Sequence, residues 1–402
     1  MLLSPESEAV VKATAGVVAE NGDEITKRFY AHMFEARPEL KRVFNMANQV
    51  AGDQAKALAA SVVAYAVHLI DPFAPDFGPI MRRIAHKHVS LGITGPQYTI
   101  VGHHLMWAVG DVLGDAVTPE VAAAWDEVYW LFATQLIAEE ARLYTLGGSA
   151  PDQPWRKYRV IDRFDETDEI FSLELQPVEG PLPPHTTGQY VSIAVDLSPT
   201  ERQPRQYTIS GVPGGDAFRV TIKRVRGEDG APDGRVSNWL GDHAQVGTVL
   251  DVSQPAGDVI LDNTEQPLVL ISAGIGITPV AAIMEDLAQR QPRRPVRLFH
   301  ADRAHESQAL YQRMLGQVLQ MKDYEGQLWY EQGAEDAPTR RPALPGRMDL
   351  TKVDLPENPR VFMCGPLPFM SAARKTLIDR GVPADQIEYE VFGPDLWARQ
   401  AQ

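Results

Sequence analysis

Cysteine is almost missing from this 402-residue chain. Cys364 stands alone, which excludes an internal disulfide framework and any all-cysteine zinc or iron–sulfur site. Such usage suits a reducing compartment. Also missing is an apolar run long enough to cross a bilayer. The opening Met1–Glu6 has no basic segment followed by an apolar one, so no secretory signal is expected and the location reads as cytoplasmic. Positive charge is in deficit: Lys and Arg number 38 against 53 Asp and Glu, a formal net charge of -15. Repulsion from phosphate backbones and anionic headgroups follows, so nucleic acid and stable membrane insertion are excluded as bulk associations. An anionic ligand then needs a local basic or amide-lined pocket. Repeats and low-complexity tracts are absent too. What is present is a composition 44% hydrophobic and 23% charged, that of a globular chain, over a length that calls for two or three cores.

Residues 1–146 show helical periodicity and almost no strand alternation. Ser4-Pro5 is a helix start, and Tyr30, Met33 and Phe34 share a helical face that reads as core. Val43–Gln49 reads as a corner, and Gln54 and Leu58 sit on one face of the next helix. Further helices run through Tyr98–Val112 and Val121–Tyr144. Between a Pro-broken loop (Pro72, Pro75, Pro79) and Gly95-Pro96 lies Arg83–Gly92, one short helix or two turns. Two histidines two places apart cannot face the same way on a helix. His88 has Ile84, Ala85, Leu91 and Gly92 as same-face neighbours and is expected to look inward. His86 has mostly polar neighbours and is expected to face water. An inward imidazole is more often a satisfied bystander than a metal ligand. Glu140, inside the charged run Glu139-Glu140-Ala141-Arg142, reads by spacing alone as a solvated face.

The order Phe29-Tyr30-x-x-Met33-Phe34, Phe44-Asn45-Met46-x-Asn48-Gln49, Gly52-Asp53-Gln54 and Lys87-His88 resembles the globin domain of bacterial and yeast flavohaemoglobins. The resemblance implies haem b, with His88 as the proximal iron ligand and Lys87 beside it. It implies Phe44 packed on the haem plane, Tyr30, Gln54 and Leu58 on the distal side, and Tyr98 and Glu140 bonded towards the His88 imidazole. Physical chemistry accommodates those roles. A gas-binding haem needs one axial nitrogen and an open sixth position. Hydroxyl and amide donors such as Tyr30 and Gln54 stabilise negative charge on a bound gas, and Leu58 restricts the pocket. A carboxylate on the imidazole makes the ligand more electron-donating, which favours oxygen activation over storage. His86, His103 and His104 are read as bystanders.

Gly147-Gly148-Ser149-Ala150-Pro151 is the clearest linker. After it the period becomes two: Phe171, Leu173 and Leu175 alternate with Ser172 and Glu174, and Phe218, Val220 and Ile222 with Arg219 and Thr221. This is the pattern of an antiparallel barrel or sandwich, placed at 152–262. Arg205-Gln206-Tyr207-Thr208 resembles the FAD-binding motif of the ferredoxin reductase superfamily. By that resemblance Arg205 meets a diphosphate oxygen, Tyr207 the isoalloxazine face and Thr208 the flavin edge. Gly188-Gln189-Tyr190 is similar to the preceding family strand, with Tyr190 near the flavin. Gly234–Leu240 is similar to the diphosphate-binding loop, with free amides at Val236 and Ser237. Pro255-Ala256-Gly257-Asp258 completes the set.

From 263 to 402 strands and helices alternate, as for a parallel sheet, and resemblance to the reductase superfamily implies that it binds NAD(P)H. Leu268–Ile271 reads as a buried strand, followed by Gly274-Ile275-Gly276-Ile277-Thr278-Pro279, whose glycines let the chain turn tightly and approach a diphosphate. Further strands are Val296–His300, Gln327–Tyr330, Arg360–Met363 and Ile387–Val391. Cys364-Gly365-Pro366 resembles the family's turn beside the nicotinamide. Glu390-Val391-Phe392-Gly393-Pro394 resembles the segment whose aromatic, here Phe392, covers the flavin. The chain departs from the family in carrying Thr208 for Ser, Ile277 for Gln and Val391 for Cys. Asp302-Arg303 offers an acid for a ribose hydroxyl and a base for a 2′-phosphate, so NADH and NADPH both stay open.

Hydride donors deliver two electrons and haem takes one at a time, so a flavin belongs between them. The resemblance therefore implies a nitric oxide dioxygenase, turning NO and O2 into nitrate with electrons from NAD(P)H through FAD. The alternatives are a ferric or quinone reductase with a regulatory gas-binding globin, and an oxygen or NO sensor or carrier. No obligate protein partner is implied.

Overall fold

A computed structural model describes residues 2–42, 53–150, 152–227 and 232–392, without the side chains of 42 and 53–56. The expectations for Phe44, the Val43–Gln49 corner, Gly393 and Pro394, and the side chain of Gln54, lie outside those residues. The chain forms two compact units, residues 1–155 with 196–205, and 156–195 with 206–392.

The first unit is helical: α1 (Pro5–Glu20), α2 (Gly22–Ala36), α3 (Asp53–Ile70), α4 (Gly78–Leu91), α5 (Gly95–Leu113) and α6 (Pro119–Gly147). Ser4 caps α1, accepting from the Ser7 amide, and its hydroxyl donates to Glu127 of α6 at 2.7 Å. Tyr30, Met33 and Phe34 are buried, as their shared face predicts. Gly95-Pro96 is not a break but the first turn of α5, where proline's missing N–H costs nothing. Pro79 likewise opens α4. That helix stops because Gly92 adopts φ 76°, from which the Ile93 amide reaches back to the His88 carbonyl at 3.0 Å.

Two sheets follow, and residues 196–205 of the first of them are counted in the first unit. Strands β1 (Trp155–Asp165), β2 (Ile170–Pro177), β3 (Tyr190–Ser198), β4 (Glu201–Thr208), β5 (Phe218–Lys223) and β6 (Val249–Ser253) take the order β4-β3-β6-β1-β2-β5, with β1, β2 and β5 antiparallel. Ser172, Arg219 and Thr221 are buried although they alternate with the apolar positions. The second face of this sheet is covered: Arg219 reaches Glu285 at 2.6 Å, and Ser172 and Thr221 bond each other at 2.8 Å. Glu285 belongs to α8 (Ile277–Arg290), which follows β7 (Leu268–Ala273).

Strand β7 lies in an all-parallel neighbourhood with β8 (Val296–Asp302), β9 (Tyr324–Tyr330), β10 (Leu344–Pro345), β11 (Arg360–Cys364) and β12 (Ile387–Glu390), ordered β10-β9-β8-β7-β11-β12. Helices α9 (Tyr311–Val318) and α10 (Leu367–Asp379) complete it, and α7 (Arg235–His243) precedes β6. The two sheet regions share one apolar cluster, in which Ile170, Val259 and Leu261 pack with Leu268, Val280 and Met284. No helix of the described residues is long and apolar enough to cross a membrane.

Candidate functional site

His88 occupies the last turn of α4 with its side chain 31% accessible, more open than its apolar neighbours predict, whereas His86 is half-buried. The ring's Nδ1 is spoken for. It lies 2.8 Å from Glu140 Oε1 and 2.8 Å from the Tyr98 hydroxyl, and that hydroxyl donates to the same Glu140 oxygen at 2.5 Å. Burial, reinforced by the Glu140 charge, pushes the Tyr98 phenol far above its ordinary value, so it stays a protonated donor. With Nδ1 committed, Nε2 is the nitrogen left to ligate a metal, and the arrangement suits an axial imidazole. Glu140 Oε2 is buried with no hydrogen-bond partner, so the carboxyl is given over to this cluster.

The solvated reading of Glu140 is overturned: the residue is only 2% exposed, while Glu139 turns outward to pair with Arg142. Two residues that sequence reasoning passed over explain the rigidity. Tyr129 donates to the Tyr98 carbonyl at 2.5 Å, and Tyr144 to the Ile93 carbonyl at 2.9 Å, closing the end of α4. A usable signal exists in hindsight. Tyr129, Ala133, Leu136, Glu140 and Tyr144 fall on one face of α6 at three- and four-residue steps, so a lone carboxyl sits on a core stripe.

On the other expected positions of this unit, Tyr30 is buried beside Phe29 and stacks on Phe34 with 5.7 Å between ring centres. Leu58 is half-buried against the same core, Gln54 falls in the first turn of α3, and Lys87 is half-buried on α4.

In the second unit, Tyr190 pairs backbone to backbone with Ala256, and the Ile209 amide donates to Gln189 at 2.9 Å. Three stretches read separately in the sequence therefore meet: Gly188–Tyr190, the Tyr207–Ser210 end of the arginine motif and Pro255–Asp258. Gln206 and Tyr207 are half-buried on β4. Thr208 is buried, and its hydroxyl has no partner, which fits a position kept for a ligand's polar edge. Arg205, on the part of β4 that falls in the first unit, donates to the Pro204 carbonyl at 2.7 Å. Val236 and Ser237 are buried in the first turn of α7, and the Ser237 hydroxyl is used internally, accepting from the Val225 amide at 3.1 Å.

At the end of β7, Gly274 takes φ 53° with open space where a side chain would be, and Ile275 is half-buried. Gly276 is also needed for packing. A Cβ there would meet the Cys364 carbonyl oxygen and the Gly365 amide, so its smallness lets two loops touch. Ile277 is buried in the apolar cluster, the Thr278 hydroxyl donates to the Ile275 carbonyl at 3.0 Å, and Pro279 is buried in the first turn of α8. Cys364 is fully buried, and burial pushes its thiol up, so it stays protonated. It pairs in register with Ser272 on one side and Glu390 on the other, bringing the glycine loop, Gly365 and the Glu390-Val391 end together. Phe392 is half exposed.

A histidine braced by a buried tyrosine and a buried carboxylate in a helical unit, then an antiparallel sheet and a glycine loop on a parallel sheet, is the layout of a globin joined to a reductase. The family described as Globin matches residues 27–136, and the Oxidoreductase NAD-binding domain matches residues 270–375. A flavohemoprotein of Chromobacterium violaceum is 42% identical over 98% of this chain and 98% of its own. A crystal structure of a flavohemoglobin from Malassezia yamatoensis with bound FAD and heme superposes with a TM-score of 0.88 at 33% identity, covering 97% of this chain and all of that one. The FAD/NAD-binding domain of a nitric oxide dioxygenase from Vibrio cholerae matches 60% of this chain, and all of its own length, with a TM-score of 0.55 and 32% identity. The chain belongs to the flavohaemoprotein family and is an oxidoreductase.

Proposed function

We propose that this chain is a nitric oxide dioxygenase, turning NO and O2 into nitrate with electrons that pass from NAD(P)H through FAD to haem b. In this reading residues 1–146 are the haem domain, 147–151 a linker, 152–262 the FAD domain and 263–402 the nucleotide domain, working in the cytoplasm without an obligate protein partner or nucleic acid. The observation that carries it is the His88–Tyr98–Glu140 cluster, because a carboxyl on the imidazole favours oxygen activation.

When bound, haem takes up a diatomic gas and single electrons, and FAD splits the hydride's electron pair into single electrons. His88 Nε2 is the atom that would hold the iron. Glu140 and Tyr98 fix the imidazole's tautomer and plane by keeping the Nδ1 proton. Tyr30 and Gln54 would donate to a gas held there, while Leu58 and the Phe29–Phe34 surroundings would keep water out. In the second unit Thr208 would meet the flavin edge, Tyr190 and Tyr207 its ring, and the Val236 and Ser237 amides its diphosphate. Gly274 and the start of α8 would receive the nucleotide's diphosphate, and Cys364-Gly365 and Phe392 would border the nicotinamide.

The test is NADH consumption in a stopped-flow instrument with O2 and stepped additions of NO, followed by nitrate assay. Oxidation that scales with NO and yields nitrate is expected. Turnover indifferent to NO but responsive to ferric or quinone acceptors would make the chain a general reductase instead.

A further inference from the structure

On one face of the parallel sheet, Tyr324, Gly326 and Leu328 alternate along β9 and so point the same way, with Leu298 of β8 in register beside Gly326. The Tyr324 phenol lies over Gly326, in the space a side chain there would take. Between this face and α9 lies a cavity of about 160 Å³, with Leu298, Met314, Val318 and Leu328 among its walls. Tyr311 and Tyr324 also line it, and Arg340 and Arg341 complete the lining. The arginine segment is tied in place. The Gln327 side-chain amide donates to the Pro342 carbonyl at 3.0 Å, and the Thr339 hydroxyl to the Arg341 carbonyl at 2.7 Å.

Two features set this cavity apart from ordinary surface. Arg340 and Arg341 are exposed, and neither guanidinium is in an ion pair among the described residues, in a chain whose net charge is -15. Burial pushes the Tyr324 phenol up to about 12 against the opposing pull of Arg341 and Arg340, so an un-ionised hydroxyl sits within reach of both charges. Tyr324 is the first residue of β9, at the end of the parallel sheet opposite Gly274 and Gly365, which follow the last residues of β7 and β11, while Gln308, bonded to Tyr330 at the far end of β9, closes the cavity on that side.

We infer that this cavity is a second binding site, which takes a small aromatic carboxylate with its ring between Tyr311, Tyr324 and the apolar wall and its carboxylate on Arg340 and Arg341. The size is appropriate, since an apolar cavity of about 150 Å³ accommodates a benzene-sized guest. The paired guanidiniums choose an anion over a neutral ring, and the tyrosines offer edges and faces to an aromatic one.

Benzoate is the probe, titrated calorimetrically into the full-length holoprotein with NAD+ present at saturation. Saturable binding is expected, with no change in the Soret band and no displacement by NAD+. Benzyl alcohol should bind at least about tenfold more weakly, and the R340Q/R341Q double variant should lose at least about tenfold in benzoate affinity. Both substitutions are on exposed side chains, and the variant's NADH oxidation rate checks that the fold is intact. Displacement of benzoate by NAD+, equal affinity in the double variant, or no saturable binding up to about 10 mM overturns the assignment.

Discussion

In the helical unit the decisive atoms belong to side chains. Nδ1 of His88, the hydroxyl of Tyr98 and one oxygen of Glu140 come from three helices and meet within 2.8 Å. In the second unit the decisive atoms at the nucleotide loop belong to the backbone, and what matters is which side chains are missing, at Gly274, Gly276 and Gly365. A centre of the first kind fails when one functional group changes with its shape intact. A centre of the second kind fails when one methyl group is added, whatever its chemistry.

The largest effect tests the first half of that contrast. His88→Ala should leave a folded protein with its normal flavin content and no Soret band, and NO removal should fall to the detection floor. Glu140→Gln is the sharper experiment, because it keeps the shape and removes only the charge from a buried acceptor. Loss of such an outer partner costs about 10–100-fold in activity or metal affinity. The iron–histidine stretch in resonance Raman should shift to lower frequency in step. An unchanged stretch with reduced activity would place Glu140 in a purely structural role.

Adding a methyl group tests the second half. Gly276→Ala puts a Cβ against the Cys364 carbonyl and the Gly365 amide, both backbone, so the two loops must part. About 3 kcal/mol of stability should go, with a raised KM for NADH. Gly274→Ala meets nothing, and its cost is confined to the left-handed backbone, about 1 kcal/mol. Thermal melts of the two variants side by side separate crowding from strain, and equal losses would break the argument from close approach.

The two units also treat a partly buried imidazole differently. His88 is given an acceptor. His185 is packed edge-on to Phe218 with its Nε2 buried and unpartnered, and burial pushes it down to about 4. Its folded value lies below the unfolded one of about 6.5. The neutral ring therefore costs nothing above that pH, and stability is lost as pH falls from there towards 4. By pH 5 the loss is about 2 kcal/mol. Urea midpoints at pH 8 and pH 5 measure it, and His185→Leu should remove most of the difference.

Legibility in the sequence followed the same division. Local signals sufficed in part where backbone geometry decides: Ser4 marked a helix start and the Gly274–Pro279 turn followed an apolar strand as expected, but Pro79, read as part of a broken loop, opens a helix, and the stop falls at Gly92 rather than at Gly95-Pro96. Long-range side-chain meetings were opaque. Glu140 looked solvated because its sequence neighbours are charged, and only the stripe from Tyr129 to Tyr144 places it inside. Alternation alone does not show that Arg219 and Ser172 are buried, because nothing near them in sequence reveals Glu285 or Thr221 as partners. The roles expected of His88, Tyr98 and Glu140 came from resemblance to a family, since no spacing rule joins residues 10 and 52 positions apart.

Ile277 carries the smallest effect and the finest form of the contrast. Where relatives resembling this chain carry Gln, the side chain here is fully buried among Val280, Ala281 and Leu270 rather than turned to the nucleotide loop's open side. If the loop works through its backbone, restoring the amide should gain no affinity. Ile277→Gln would instead bury a polar group against an apolar cluster, at a cost of about 1–3 kcal/mol. KM for NADH should stay within about twofold while the melting point drops by a few degrees. A clear fall in KM with unchanged stability would show that the side chain can swing out to the nucleotide, and that this loop too is built partly from functional groups.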